Sequence, residues 1–399
     1  MFRFAIFFLF ILVLANRSED TFATVRDVET EHSDTITGSP GFNNIMLWNH
    51  HRPERDVYGR LDTAAFIKVI DYNIQLPLRQ ITIMAVGDIM PGTNFPSESY
   101  LPPSCENLFL PVKAILERAD IATGNLEGVF SSNGGEAKNC NNPKTCYVFR
   151  IPDNYAACIR DAGFDILGVA NNHVNDFGYT GRKNTAGILD EEGIPFAGFK
   201  DRPYVIVEKN GFRIGFCAFA PHTGTLDFKD YEAAAGIVAR LKKKTDIVIV
   251  NFHAGAEGSK YQHITKTDEV FLGHNRGNPW YFAHKVIDAG ADLVVGHGPH
   301  IVRAIEFYKG KLIAYSLGNF CTYARFNLSG PNAYAPVLEV RLNSEGEFVS
   351  GRIHSFLQLG EGGPIPDPDQ KAMKRIRDLT KIDFPEENLF MDEHGNIIK

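Results

Sequence analysis

Five separate apolar runs of this chain each stop at side chains with oxygen or imidazole nitrogen to offer, and that repetition limits the fold more than any single motif. The clearest run is 291–295, which stops at Gly296-His297-Gly298-Pro299-His300. A Val- and Leu-rich run of that length reads as a strand buried on both faces of a sheet. Glycine permits a sharp turn and proline fixes one φ, so both imidazoles can be held on one rim. Four other runs end in the same manner: 81–86 at Gly87-Asp88, 119–123 at Gly124-Asn125-Leu126-Glu127, 164–169 at Asn171-Asn172-His173, and 246–250 at Asn251-Phe252-His253.

Helical patterns lie between these runs, at 154–162, 180–192, 231–244 and 279–289, each closing near a glycine or a lysine run. Strand, helix, strand in that order implies parallel strands joined by right-handed crossovers. Hairpins are also legible, at 205–219 through Asn210-Gly211, at 305–315 through Lys309-Gly310, and at 337–359 through 343–346. The chain is therefore expected to be α/β with mixed sheets.

The 399 residues carry a formal net charge of −7 and no long basic run, which argues against a nucleic-acid partner. Residues 1–15 hold one arginine and then about a dozen apolar residues, fewer than the roughly 20 that span a bilayer. A cleaved signal peptide and an exported protein are the first expectation; an uncleaved N-terminal anchor is the alternative. Residues 16–80 show no clear period and are expected to drape over the main body, with the adjacent His50 and His51 solvated. After residue 360 the Gly-Pro-rich and charged stretch reads as a tail. The expected division is thus 1–15, 16–80, a main domain at 81–360, and a tail at 361–399.

Six cysteines in an exported chain permit disulfides. Cys140 and Cys146 flank a turn-rich loop and are the expected pair, Cys105 and Cys158 are possible further partners, and Cys217 and Cys321 read as buried thiols. No C-x-x-C pair exists, which argues against a thiolate zinc site.

In open α/β sheets, ligands bind beyond the carboxyl ends of the strands. Five strands deliver Asp88, Glu127, Asn172 with His173, His253, and His297 with His300 to that edge. Singly, each has a plainer reading: Asp88 as a helix cap, Asn172 as a turn residue, His253 as a hydrogen-bonded core group. Together they form a mixed oxygen and nitrogen donor set that suits zinc, manganese or iron, and offers fewer oxygens than calcium wants. Two ions sharing a carboxylate would clamp an in-line displacement. One imidazole, His173, is left to protonate a leaving oxygen.

Six stretches in order carry a resemblance: Gly-Asp-Ile-Met (87–90), Gly-Asn-Leu-Glu-Gly (124–128), Ala-Asn-Asn-His (170–173), His-Ala-Gly-Ala-Glu (253–257), Asp-Ala-Gly-Ala-Asp-Leu-Val-Val-Gly-His-Gly-Pro-His (288–300) and Tyr-Ser-Leu-Gly-Asn-Phe (315–320). Over about residues 81–342 the chain resembles the poly-γ-glutamate capsule synthesis (CapA) family, a branch of the calcineurin-like metallophosphoesterases. The resemblance implies a four-layer αββα sandwich of two mixed sheets. It implies that Asp88 holds a first metal, Glu127 bridges, Asn172, His253 and His297 hold a second, and His300 returns to the first, with His173 as the acid.

Three departures stand out. Met90 occupies the place of the imidazole in the superfamily's Asp-x-His motif, Glu127 stands where an Asp is usual, and His297 and His300 are three residues apart rather than two. Glu257 is a candidate compensating ligand or a partner behind the ligands. Asn125 and Asn319 are candidates for that outer role, with a buried turn amide the plainer reading of Asn319.

The expected function is an exported metal-dependent hydrolase of the phosphoesterase type, with one or two divalent ions. It would act in the synthesis or export of polyglutamate or a related capsule or envelope polymer. Its substrate would be a small molecule or polymer of phosphate or polyglutamate character, its partners the envelope polymer-synthesis machinery. The alternative is a non-catalytic metal-binding assembly or polymer-binding factor of an envelope export complex. Amide-bond hydrolysis at the same site is a third reading.

Overall fold

Alternation along the strand Gln80–Met90 sets the layers of the molecule. Ile81, Ile83 and Ala85 face one way, where they pack with Ile214, Phe216, Ile249, Leu293 and Val295 of a second sheet. Met84 and Val86 face the other way, against Val112 and Leu116 of the helix Cys105–Leu116, Ile159 of Tyr155–Asp161 and Leu189 of Gly178–Glu191. Burial on both faces explains why this stretch reads as a near-continuous apolar run. The computed structural model describes residues 78–139, 146–386 and 389–398.

Among the described residues the larger sheet has nine strands. Gln80–Met90 lies between Ile121–Leu126, which runs parallel, and Val337–Asn343, which runs antiparallel. Ile166–Gly168 and Phe196–Ala197 extend the parallel side. Phe348–His354, Asn396–Ile398 and Phe390–Met391 extend the other. Asn319–Thr322 pairs with the far end of Gln80–Met90 and sets Asn319 opposite Asp88. The second sheet runs Ile305–Tyr308, Lys311–Ala314, Leu293–His297, Ile247–His253, Phe212–Phe219, Tyr204–Lys209.

Helices Tyr231–Lys242 and Pro279–Asp288 cover the outer face of that second sheet through Val238, Leu241, Phe282 and Val286. Both start where capping chemistry dictates. Asp230 Oδ1 accepts from the Ala233 N–H at 3.0 Å, and Asn278 Oδ1 accepts from the Tyr281 N–H at 2.9 Å ahead of Pro279. The order helix, sheet, sheet, helix is the four-layer αββα sandwich of two mixed sheets that the resemblance implied. The hairpins also turn where expected. Asn210 and Gly211 have φ of 50° and 77°, and Lys309 and Gly310 have φ of 49° and 79°, the left-handed values a tight hairpin requires.

Two expectations need correction. The stretch 361–399 is not a tail: it contains the helix Lys371–Asp383, which places Met373 and Ile376 in the core between the sheets, and two strands that complete the nine-stranded sheet. The Gly-Pro-rich opening of that stretch resembles an exit from the fold, yet the spacing of Ala372, Met373, Ile376, Leu379 and Thr380 presents one apolar helix face. The compact unit accordingly spans Pro77–Lys399. The other correction concerns cysteines: Cys105 and Cys158 are free buried thiols, as are Cys217 and Cys321. Cys146 is disulfide-bonded, and Cys140, its expected partner, lies outside the described residues.

The expected leader at 1–15, His50, His51 and the N-terminal segment as far as residue 77 also lie outside the described residues. Among the described residues no helix is long and apolar enough to cross a membrane.

Candidate metal centre

The two sheets bring their carboxyl-end residues to one place. Asp88 lies within Gln80–Met90 and Glu127 directly follows Ile121–Leu126, both from the larger sheet. His253 and His297 close Ile247–His253 and Leu293–His297 of the smaller sheet. Gly87 makes the approach possible. A Cβ there would lie 2.0 Å from the Gly318 carbonyl oxygen, and that same carbonyl accepts from the Asp88 N–H at 2.9 Å. His300 sits at φ 57°, just after Gly298 at φ 111°. A left-handed non-glycine residue costs about 1–3 kcal/mol and persists where its surroundings demand it; here the turn aims the ring at Asp88.

One donor atom from each of Asp88, Glu127, His253 and His300 falls within 4.8 Å of the others. His300 Nδ1 lies 3.0 Å from Asp88 Oδ2 and 3.1 Å from Asn319 Oδ1. Those two acceptors hold the Nδ1 proton and leave Nε2 facing Glu127 Oε1 at 3.5 Å. His253 Nε2 is 3.3 Å from the same oxygen, and His297 Nδ1 is 3.6 Å from Asp88 Oδ1.

Several of these atoms are buried with no hydrogen-bond partner among the described residues: both oxygens of Glu127, both nitrogens of His253, His297 Nδ1 and Asn172 Oδ1. Unpaired buried polar groups are rare because each costs its full desolvation. A shared cation accounts for the cluster. Imidazole nitrogens and carboxylate oxygens bind such ions at about 2.0–2.2 Å, so the ligands of a four-coordinate ion stand roughly 3.4 Å from one another. The observed set fits one ion with a small inward shift.

The electrostatics agree. Burial opposes the charge on Asp88, but the His300 hydrogen bond and the charges of His300, His253 and His297 outweigh it and hold the carboxyl at about 2. Burial pushes Glu127 up to about 8. His253 and His297 are held down at about 4 by burial. Burial also opposes the charge on His300, yet the Glu127 charge and the Asp88 hydrogen bond raise it to about 10. Without an ion, the cluster keeps a proton where an ion would place positive charge.

The remaining expected residues divide. His173 Nδ1 lies 2.7 Å from Asp176 Oδ2, and its Nε2 points toward Glu127 Oε1 at 3.8 Å. Asn172 sits beside it on the cavity wall. Asn125 donates from Nδ2 to Asp88 Oδ1 at 2.8 Å and accepts from Asn171 Nδ2 at 3.0 Å, so it does stand behind a candidate ligand. Asn319 is more than a turn amide, since it faces His300 Nδ1. Glu257 is not part of the cluster: its Oε1 pairs with Arg276 Nη2 at 2.9 Å. Met90 is fully buried in apolar surroundings and offers nothing to the centre.

Asp176, Phe149 and Phe326 are members of the site that the strand-end pattern did not reveal, while Asn171 and Asn251 stand at those strand ends without being singled out as candidates. Asp176 follows His173 by three residues, and that spacing was a usable signal. Phe149 packs on His173 with centroids 4.3 Å apart and stacks on Phe326 at 5.2 Å, and Phe326 in turn meets His300 edge-on at 5.7 Å. The cluster opens into a cavity of about 880 Å³ whose wall includes His173, His300, Lys138, Arg276 and Arg325.

Residues 82–324 match the family model described as bacterial capsule synthesis protein PGA_cap. The chain belongs to that family. The capsule biosynthesis protein CapA of Bacillus anthracis is 27% identical over 322 residues, covering 76% of this chain and 73% of the relative. The PGA biosynthesis protein CapA of Bacillus subtilis (strain 168) is 27% identical over 313 residues, covering 74% and 77%. Among solved structures, a hypothetical protein from Thermus thermophilus aligns with a TM-score of 0.43 and 16% identity, over 70% of this chain and 100% of that one. A 5'-nucleotidase precursor from the same organism aligns at 0.37 and 14%, over 76% and 59%. The αββα layering of this PGA_cap chain is read from its own strand order and helix packing.

Proposed function

We propose that this PGA_cap protein is an exported, metal-dependent hydrolase of the phosphoesterase type that serves the synthesis or export of polyglutamate or a related envelope polymer. The observation that carries the reading is the set of buried, unpartnered donor atoms on Glu127, His253 and His297. Asp88, Glu127, His253 and His300 would hold one divalent ion of the manganese, zinc or iron kind, with His297 and Asn172 available beside them. When bound, the ion supplies Lewis-acid polarisation of a phosphoryl oxygen.

The chain's own residues do the rest. Asp176 accepts from His173 Nδ1, fixing the ring so that Nε2 faces the cavity. A proton on that nitrogen is placed for transfer to the oxygen of a departing alcohol. Phe149 packs on His173 and Phe326 on His300, which limits how far either imidazole can turn. Export is supported by the short apolar start of the sequence, and the polymer setting by the names of the two Bacillus relatives.

The experiment is metal analysis of the purified full chain together with hydrolysis of phenyl phosphate. About one bound equivalent per chain, with turnover lost on His173→Ala, supports the reading. The buried Met90, in the place of the imidazole of an Asp-x-His motif, favours a second reading, a metal-binding assembly factor. Tight metal without turnover selects it, and no metal across manganese, zinc and iron sinks the centre altogether.

A further inference from the structure

The cavity beside the metal centre is lined by four cationic side chains, Lys138, Lys229, Arg276 and Arg325, in a chain whose net charge is −7. Two of them are neutralised in place: Lys138 Nζ lies 2.5 Å from Asp176 Oδ1, and Arg276 Nη2 lies 2.9 Å from Glu257 Oε1. Lys229 is exposed at the rim. Arg325 is different. It is half-buried, and among the described residues no carboxylate stands within ion-pairing distance of it.

Arg325 is held by rings instead. Its guanidinium carbon lies 4.8 Å from the Tyr100 ring centroid and 5.4 Å from that of Tyr147. Contact with ring faces orients the planar group while leaving its N–H edges unspent, and those edges match an oxyanion two at a time. The next residue, Phe326, stacks on Phe149 and meets His300 edge-on. Arg325 is thus tied, one residue away, to the wall shared by a candidate ligand and the candidate acid. The acid His173 and Tyr147 line the same cavity, so an alcohol leaving from His173 departs into the space that Arg325 borders.

We propose that Arg325 binds a carboxylate on the alcohol portion of the substrate, so that the substrate class is a phosphoester carrying a carboxylate beyond the reacting phosphorus. One guanidinium fork matches one singly charged carboxylate. This rests on the phosphoesterase reading above. Arg325 is a specificity-determining residue and takes no part in the bond-breaking step.

The test compares phenyl phosphate with 4-carboxyphenyl phosphate on the metal-loaded full chain, and in parallel titrates the two corresponding phosphonates calorimetrically. The wild-type chain should favour the carboxylated ester, through KM, by roughly tenfold to a hundredfold, the range for a charge-assisted contact. In Arg325→Gln the ratio of the two kcat/KM values should fall to near one, and Arg325→Lys should restore part of it. A wild-type ratio near one, or a preference that survives in Arg325→Gln, overturns the proposal. If neither ester is hydrolysed, the phosphoesterase reading fails. The phosphonate titrations then decide the role of Arg325 alone: tighter binding of the carboxylated phosphonate, lost in Arg325→Gln, upholds it, and equal binding overturns it.

Discussion

Asp88 and His300 stand 212 positions apart in the sequence, and the Nδ1 of His300 lies 3.0 Å from Oδ2 of Asp88. In the metal-free protein that contact, with the Glu127 charge, keeps a proton on His300 well above neutrality, up to about 10, while burial keeps one on Glu127 up to about 8. A cation must displace protons from both. Metal binding is therefore expected to release at least about one proton per ion near neutral pH, and affinity should rise as pH rises. Calorimetry in two buffers of different ionisation enthalpy measures the release directly. A pH-independent affinity between neutrality and mild alkali would contradict it.

Glu127 gives a second expectation, for the chelated protein. Its folded-state pKa is raised above the ordinary carboxyl value, so the folded state binds this proton more tightly than the unfolded one. The associated stability is complete below the ordinary carboxyl range and is lost as pH climbs through about 8. Thermal unfolding of metal-free protein should show Tm falling over that interval. Glu127→Gln should flatten the fall and weaken metal binding by more than about tenfold.

For the candidate acid, two substitutions separate chemistry from orientation. His173→Ala is expected to lower kcat by about 10²–10⁴-fold, the range of general acid catalysis, with metal content retained. Asp176→Asn should cost less, through kcat with KM little changed, because the ring stays in the cavity wall but loses the carboxylate that orients it through Nδ1. An Asp176→Asn variant with the kcat of the wild type would show that Asp176 serves packing alone.

A fourth expectation concerns stability away from the centre. Arg303 is fully buried and forms two 2.8 Å contacts with Glu269, whose Oε2 also accepts from the Ala256 N–H at 2.7 Å. This pair ties the segment around 256 and 269 to the second sheet. Arg303→Met leaves a buried carboxylate without its partner and should cost about 3–5 kcal/mol in urea denaturation. Replacing Glu269 by Leu in the same chain should recover part of that loss. A single variant within the error of the wild type would contradict the account.

Strand ends were the readable part of this sequence. Where an apolar run is buried on both faces, as around Ile83 or Val294, its limits are sharp and the polar residue that stops it is conspicuous. Asp88, Glu127, His253 and His300 were found that way, and the structure brings them within reach of one another. Residues that act from loops left no such mark: Arg325, Phe326 and Phe149 take their positions from contacts between distant segments. Pro111 masked the helix Cys105–Leu116, because a proline inside an apolar pattern reads as a break. The helix Lys371–Asp383 was hidden by its charge: lysine and arginine fill its outer face, and only the spacing of the buried residues reveals it.

The candidate ligands come from both sheets, Asp88 and Glu127 from one and His253 from the other. A cation among them would act as a rivet through the middle of the sandwich, fastening two halves that otherwise meet through apolar packing and a few polar contacts such as Lys209 Nζ to Asp165 Oδ1. Stripping it with a chelator should then loosen the seam as well as silence any chemistry. A descendant that had given up turnover would still have reason to retain the same four side chains.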